Sequence, residues 1–216
     1  VLMGSGSDQH GTPVTIRARE ENTTPKEISE KYHKIWSETF KDLDFSFDLY
    51  TRTGTENHKE VVQKLFTLLN DKGYLEEQVS SQPYSEESEM FLSDRYIEGD
   101  CPHCPSRTKG DQCDNCGQDF EPSDLKNLIS TIDNSKVTFK ETNHIYLKLP
   151  EFQENLNKWI NSKSYWRPAV KNQSLGFLSN GLIDRAITRD IDWGVEVPLK
   201  NYEKKRIYVW FEAVIG

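Results

Sequence analysis

The 216-residue sequence predicts an α/β layer fold interrupted by a small β-rich lobe. Three observations carry that expectation. Strand-like apolar runs alternate with amphipathic helical stretches as far as Tyr74, the pattern of a sheet layered with helices. From Leu75 to Asp100 the chain turns polar, short-patterned and turn-rich. Its only four cysteines follow directly, as two tight pairs, Cys101-Pro-His-Cys104 and Cys113-Asp-Asn-Cys116.

Each element has its own local reason. Val1-Leu2-Met3 reads as a strand running into a loop, with Thr12 as the N-cap of a helix and Pro13 at its first position. Thr24-Pro25-Lys26-Glu27 is a capping box opening a second helix, whose Ile28, Tyr32, Ile35, Trp36, Phe40 and Leu43 keep helical spacing. Phe45, Phe47 and Leu49 alternate with Ser46 and Asp48, which suggests a short half-buried strand. A third helix from about Asn57 carries Val61, Val62, Leu65, Phe66, Leu68 and Leu69 and ends at Gly73. Beyond the cysteines, Val137 to Lys140 and Ile145 to Leu149 suggest two strands joined at Thr142-Asn143-His144. Helical patterning returns at Phe152 to Ile160 and Val170 to Leu178, closing at Asn180-Gly181, and Ile207 to Phe211 is expected to be a strand. The domain division expected is 1–74 and 183–216 for the main domain, both contributing to one sheet, with 75–182 as the inserted lobe.

Composition bounds the function. Hydrophobic residues make up 35% and the mean hydropathy is −0.76, so the core is divided between thin lobes. Five Trp, nine Tyr and ten Phe argue against disorder. A net charge of −8 gives no general attraction for nucleic acid. Any RNA contact is local, around Lys204-Lys205-Arg206 or Lys163 to Lys171, although such runs are more often solvated faces. No apolar run is long enough for a bilayer, so no membrane partner is expected. Nothing indicates export, and a cytoplasmic location is expected. The start at Val1 and the stop in the apolar run Ile207 to Gly216 read as the interior of a longer protein.

C-x2-C, an eight-residue loop and C-x2-C again is a spacing that folds four sulfurs onto one tetrahedral Zn²⁺. One closed, structural zinc held by Cys101, Cys104, Cys113 and Cys116 is expected. Gly117 suits the positive φ of such a knuckle, Gly110, Asp111 and Asn115 make the loop turn-rich, and Arg107 and Lys109 lie close enough to offset the thiolate charge. Iron in the same cage and paired disulfides remain open, the latter needing an oxidising compartment. Asp8, in a loop leaving a strand, suits a substrate ammonium, although an Asp before a helix is more often a cap. His10 reads as a turn residue. Arg189 has the fork for phosphate oxygens, against a local pair with Asp190 or Asp192. Tyr208 and Trp210 share one strand face beside Ala213, a setting for a linear thioether side chain or for ordinary core packing.

Five stretches stand in order around the cysteines: Gly6-Ser-Asp-Gln-His-Gly-Thr-Pro13, Met90-Phe-Leu-Ser-Asp-Arg-Tyr96, the double C-x2-C itself, Ile187-Thr-Arg-Asp190 with Trp193-Gly194, and Tyr208-Val-Trp-Phe-Glu-Ala213. Together they resemble the methionyl-tRNA synthetases, class I aminoacyl-tRNA synthetases, over nearly the whole chain. The resemblance implies a Rossmann-type nucleotide-binding layer fold interrupted by a zinc-knuckle connective peptide. It implies a ligase that activates methionine with ATP and Mg²⁺ and transfers it to the 3′ end of tRNA(Met). By the same resemblance Asp8 binds the methionine ammonium, Tyr208, Trp210 and Ala213 line the side-chain pocket, and Arg189 is the catalytic residue on the nucleotide or pyrophosphate. DNA is no partner on this reading.

Departures accompany the match. The His-x-Gly-His and Lys-Met-Ser-Lys-Ser signatures that grip ATP are absent from these residues, so the chain alone is expected to be inactive. Glu212 and Val214 stand where many relatives have Asp and Pro. Ser85 and Ser88 occupy a spacing where some relatives carry another C-x2-C, so one zinc is expected rather than two. Two other classes compete. A non-catalytic zinc-ribbon RNA-binding module explains the knuckles but not Arg189 or Tyr208 to Ala213. A class I synthetase for leucine, isoleucine or valine shares the Arg-containing stretch before Trp-Gly, yet usually carries a larger editing insertion. A freestanding tRNA-end clamp of this length also stays open.

Overall fold

A parallel strand pair requires a crossover connection, and the first fifty residues build one. The computed structural model describes residues 2–92, 94–110, 112–118, 120 and 122–215. Val1, Ser93, Asp111 and Gly216, which figure in the sequence reading, lie outside the described residues, as does the side chain of Asp94. Strand β1 (Gly4–Ser7) pairs in parallel with β2 (Leu49–Arg52), from Gly4 opposite Leu49 to Ser7 opposite Arg52, across helices α1 (Thr12–Glu20) and α2 (Pro25–Asp42). The capping box at α2 forms as expected. Glu27 N–H donates to Thr24 Oγ1 at 3.2 Å, and Thr24 N–H donates back to the Glu27 carboxylate at 3.0 Å. Bonds from the Thr23 hydroxyl and from Thr24 hold the Glu27 carboxyl down at about 2.

Several boundaries move. The first strand begins at Gly4, with Leu2 and Met3 outside it, and Gly11 rather than Thr12 is the N-cap of α1. The strand expected at Phe45 to Leu49 forms at Leu49–Arg52. Phe45 N–H still bonds Phe40 O behind the end of α2, and Phe45 and Phe47 gather around the Phe40 ring, with centroids 5.2 and 5.5 Å away. Local aromatic packing there overrides the alternating pattern. Along the apolar stripe of α2 Ile28 is buried and Tyr32 and Phe40 are half-buried, while Ile35, Trp36 and Leu43 remain exposed.

Helix α3 (Glu56–Asp71), capped by Thr55, buries Val62 and Phe66 completely. There follow β3 (Leu75–Ser85), β4 (Met90–Phe91), β5 (Ile97–Asp100), β6 (Arg107–Lys109), β7 (Lys126–Ser130) and β8 (Val137–Leu147). Strands β3 and β8 form an antiparallel ladder of eleven pairs, from Leu75 opposite Leu147 to Ser85 opposite Val137. The hairpin expected at Thr142 to His144 is therefore absent, and β8 runs straight through it. Those polar residues find partners along the strand: His144 Nδ1 lies 3.0 Å from Thr188 Oγ1, and the Asn143 amide donates to Glu77 at 3.1 Å. The ladder belongs to a sheet of order β4-β3-β8-β9, closed by β9 (Arg185–Ala186), while β6-β5-β7 form a smaller sheet beside the cysteines. Helices α4 (Gln153–Asn161) and α5 (Pro168–Ser179) stand between β8 and β9.

The chain returns through β10 (Thr188–Arg189), paired with β11 (Arg206–Ile207), and the short helix α6 (Val209–Glu212). The strand expected over Ile207 to Phe211 thus turns helical after Ile207, with Phe211 and Glu212 N–H both bonding Tyr208 O. Tyr208 and Trp210 consequently share no strand face. Among the described residues neither β10 nor β11 joins the β1–β2 sheet, so the single sheet expected from both flanks does not form. Packing joins them instead. One core unites Val62 and Phe66 of α3 with Leu75, Ile145, Ile187, Val195, Val197 and Ile207, at one end of the long ladder. A second, at the other end, unites Leu92, Tyr96, Ile97, Phe120, Leu125 and Val137 with Cys101 and Cys113. Tyr96, from the Met90 to Tyr96 stretch, hydrogen-bonds Thr15 of α1 and so ties the lobe to the first layer.

Candidate functional site

The loop that leaves β1 is anchored residue by residue. Ser7 Oγ bonds His33 Nδ1 at 2.7 Å, Gln9 N–H donates to Thr53 Oγ1 at 2.9 Å, and Gln9 Nε2 donates to Ser29 O at 3.1 Å. The Trp193 indole donates to Gln9 O at 2.6 Å. Ser7, Gln9 and His10 are buried, and Asp8 alone among Ser7 to His10 is exposed. A rigid loop therefore presents one carboxylate outward. Partial desolvation by the surrounding chain raises the Asp8 carboxyl above its usual range; the charge of Glu212 acts in the same direction, and the His10 N–H opposes it.

Behind that loop lies a group the sequence does not announce. Glu212 has no solvent exposure, and His10 Nδ1 lies 2.9 Å from its Oε1 while His58 Nε2 bonds Oε2. The His10 ring also meets Trp193 edge-on, with centroids 5.4 Å apart. His10 is thus more than a turn residue. Glu212 stands out in the sequence only as a departure where many relatives have Asp, and His58, its partner 154 residues away, carries no local signal; only the expectation that a buried carboxylate needs donors would have joined them.

Of the other expected site residues, Trp210 is exposed and Tyr208 and Ala213 are half-buried. Ala213 and Trp210 flank Glu212 and so lie on the element braced to the Asp8 loop. The Arg189 guanidinium stacks 3.7 Å over the Tyr208 ring, and its Nη1 donates to Ala186 O and Thr188 O, each at 3.0 Å. Among the described residues Arg189 has no ion pair with Asp190 or Asp192. Asp190 binds Lys205 instead, and lies 3.1 Å from His144 Nε2. Burial works to raise the Asp190 carboxyl, but bonds from His144 and Lys205 outweigh it and hold it low. Lys205 and Arg206 are thereby committed inward, Arg206 to Glu203 O and Lys205 O, and do not form a free basic run. Gly194 adopts φ +140°, a conformation other residues resist, and its turn lets Val195 enter the core beside Ile207.

The four cysteine sulfurs converge as expected. All lie within 4.8 Å of one another, with Cys101 to Cys116 at 3.9 Å and Cys104 to Cys113 at 3.7 Å. Zinc–sulfur bonds of roughly 2.3 Å in a tetrahedron put sulfurs roughly 3.8 Å apart, so the set fits that ion. Backbone and amide donors point at the sulfurs: His103 N–H at 3.3 Å from Cys101, and the Asn115 amide at 3.6 Å from Cys104. The Ser106 N–H and that amide pull the Cys104 thiol down to about 6. Gly117 has the positive φ of +70°. Arg107 and Lys109, expected beside the thiolates, pair with Glu98, and Arg107 also with Asp100.

A second structure of the same design lies in the same lobe. Cys113 N–H bonds Gln118 O and Gly117 N–H bonds Cys113 O; Ser130 N–H bonds Ser135 O and Asn134 N–H bonds Ser130 O. Asn134, like Gly117, has positive φ. Facing this turn, Ser88 N–H donates to Ser85 Oγ at 3.0 Å from three residues on, where His103 N–H donates to Cys101 Sγ from two residues on. Ser85, Ser88, Ser130 and Asp133 thus repeat the x2 spacings of the cysteines. Asp133 gathers the Ser85 hydroxyl at 2.8 Å, the Ser88 hydroxyl and the Ser135 N–H at 2.9 Å, and bonds from the Ser88 and Ser135 side chains hold its carboxyl far below the usual range.

The family model described as tRNA synthetases class I (M) matches residues 1–216. A methionine–tRNA ligase of Dehalococcoides mccartyi is 49% identical over the whole chain, and one of Thermoplasma volcanium is 46% identical. The chain spans 39% and 40% of the length of these relatives. In fold it is similar to Mycobacterium tuberculosis methionyl-tRNA synthetase bound by methionyl-adenylate, with a TM-score of 0.70 at 22% identity, over 100% of this chain and 38% of that one. With every residue inside that family model, the chain belongs to the class I tRNA synthetases, M group.

Proposed function

We propose that the protein containing this chain is a methionine–tRNA ligase. It joins methionine to ATP as methionyl-adenylate, releasing pyrophosphate, and passes the methionyl group to the 3′ end of tRNA(Met) for protein synthesis. The observation that carries this reading is the convergence at Glu212, where the loop presenting Asp8 and the turn bearing Trp210 and Ala213 are held to one another. The names of the relatives support the choice of amino acid.

On this reading Asp8 binds the methionine ammonium. The charge-assisted bond between that ammonium and the exposed Asp8 carboxylate orients the amino acid. Tyr208, Trp210 and Ala213 line the side-chain pocket, and Arg189, stacked on Tyr208, holds nucleotide or pyrophosphate oxygens. The methionine carboxylate then attacks the α-phosphorus of Mg²⁺-bound ATP, forming one oxygen–phosphorus bond as that to pyrophosphate breaks. Positioning and charge compensation supply the acceleration, with no covalent nucleophile from the chain. Cys101, Cys104, Cys113 and Cys116 hold one structural zinc that braces the 75–182 insertion. Cysteines outside any disulfide and ATP chemistry suit the cytoplasm.

The test is pyrophosphate exchange into ATP by the full-length protein. Exchange is expected with methionine and not with leucine, isoleucine or valine. Asp8→Ala is expected to raise the methionine KM about 30-fold, the loss of a bond between charged groups. Exchange with a branched amino acid, or with none, contradicts the reading.

A further inference from the structure

Glu212 makes no contact with substrate in the proposed amino-acid site, yet it is among the most constrained side chains of the fold. A carboxylate with no solvent exposure is costly unless every oxygen is bonded. Both are: Oε1 to His10 Nδ1 at 2.9 Å and Oε2 to His58 Nε2. The donors sit in the loop after β1 and in the first turn of α3, and the acceptor sits at the end of α6. His10 is two residues from Asp8; Glu212 is two from Trp210 and one from Ala213. A single side chain therefore connects the segment that meets the ammonium with the segment that meets the side chain.

We propose that Glu212 is a positioning residue for amino-acid recognition, setting the separation between Asp8 and the Trp210–Ala213 turn through its bonds to His10 and His58. This rests on the amino-acid-binding reading above. The geometry explains the need for a carboxylate. Two imidazole N–H groups require two acceptor oxygens, whereas an amide offers one oxygen and turns an NH2 toward the other ring. The same group places a second negative charge behind Asp8, so an arriving ammonium meets one carboxylate in contact and another beyond it. An α6 released from this brace keeps its core contacts through Phe211 but loses its register against the Asp8 loop.

A double-mutant cycle in the full-length protein separates positioning from mere stability. Glu212→Gln is expected to raise the methionine KM in pyrophosphate exchange about tenfold, the loss of one hydrogen bond to a charged acceptor, with the ATP KM and zinc content essentially unchanged and the melting midpoint modestly lower from the imidazole N–H left without an acceptor. Combined with Asp8→Ala it is expected to add almost nothing, because both changes remove the same contact. Full multiplicativity, an equal effect on methionine and ATP, or a lower melting midpoint with unchanged KM each overturns the inference. If Asp8→Ala alone leaves the methionine KM untouched, the amino-acid reading falls and this inference with it. Should Glu212→Gln misfold by circular dichroism, His58→Phe, which keeps the ring and removes the N–H, carries the same cycle and the same outcomes.

Discussion

Within one lobe the protein builds the same backbone turn twice and closes it by different chemistry. Around Cys113 and around Ser130 the chain makes the same pair of N–H to carbonyl bonds and the same positive-φ fifth residue, Gly117 in one and Asn134 in the other. In the first, four sulfurs within 4.8 Å ask for a metal. In the second, Asp133 accepts from two serine hydroxyls and a backbone N–H and leaves nothing for a metal to do. The comparison teaches that the turn belongs to the backbone and the staple is interchangeable. The two closures are expected to differ in strength and, if the sulfurs hold zinc as proposed, in sensitivity to chelators.

Breaking the sulfur knuckle should have the largest effect. A structural zinc contributes roughly 10 kcal/mol, more than the whole margin of many domains. Cys113→Ala is therefore expected to lose the metal and expose residues 97–130 to protease, while the β3–β8 ladder persists. A zinc-free protein with that segment still protected would contradict the comparison. Ser85→Cys, Ser88→Cys, Ser130→Cys and Asp133→Cys together should convert the second knuckle to the first, raising zinc by mass spectrometry from one to two per chain; a count that stays at one would show that the two turns differ more than their hydrogen bonds suggest.

The smallest effect is expected from Asp133→Ala, about 2 kcal/mol for donors left without an acceptor. Its pH dependence has a definite sign. A carboxyl held low in the folded state contributes stability that is complete above its ordinary value and is lost as the pH falls below it. Wild type should therefore lose more stability on acidification than Asp133→Ala; parallel curves would remove Asp133 from the closure.

Much of this was legible in the sequence, and the reasons are local. C-x2-C spacing fixes sulfurs to one side of a turn, and the Thr24 to Glu27 box caps a helix with its own side chains, so both could be read from a few residues. The long β8 could not, because His144 and Thr142 look like turn residues until Thr188 and Asp190 arrive from more than forty residues away. The helical turn at Tyr208 to Glu212 was hidden in the same way: aromatic, β-prone residues are bent by the need to bury Glu212 between two distant histidines. Asp8 could be singled out as a candidate from its loop, but not what holds that loop. Burial is a property of the whole chain, and the brace joins positions 154 and 202 residues apart.

The claim most open to direct attack is that the exposed carboxylate of the rigid β1 loop receives an amino acid. Isothermal titration of methionine into the full-length protein, without ATP, measures that alone. Saturable binding by wild type, weakened about 30-fold in Asp8→Ala with an unchanged zinc count, is the outcome expected from losing one charge-assisted bond. Equal affinity in the two proteins would contradict it.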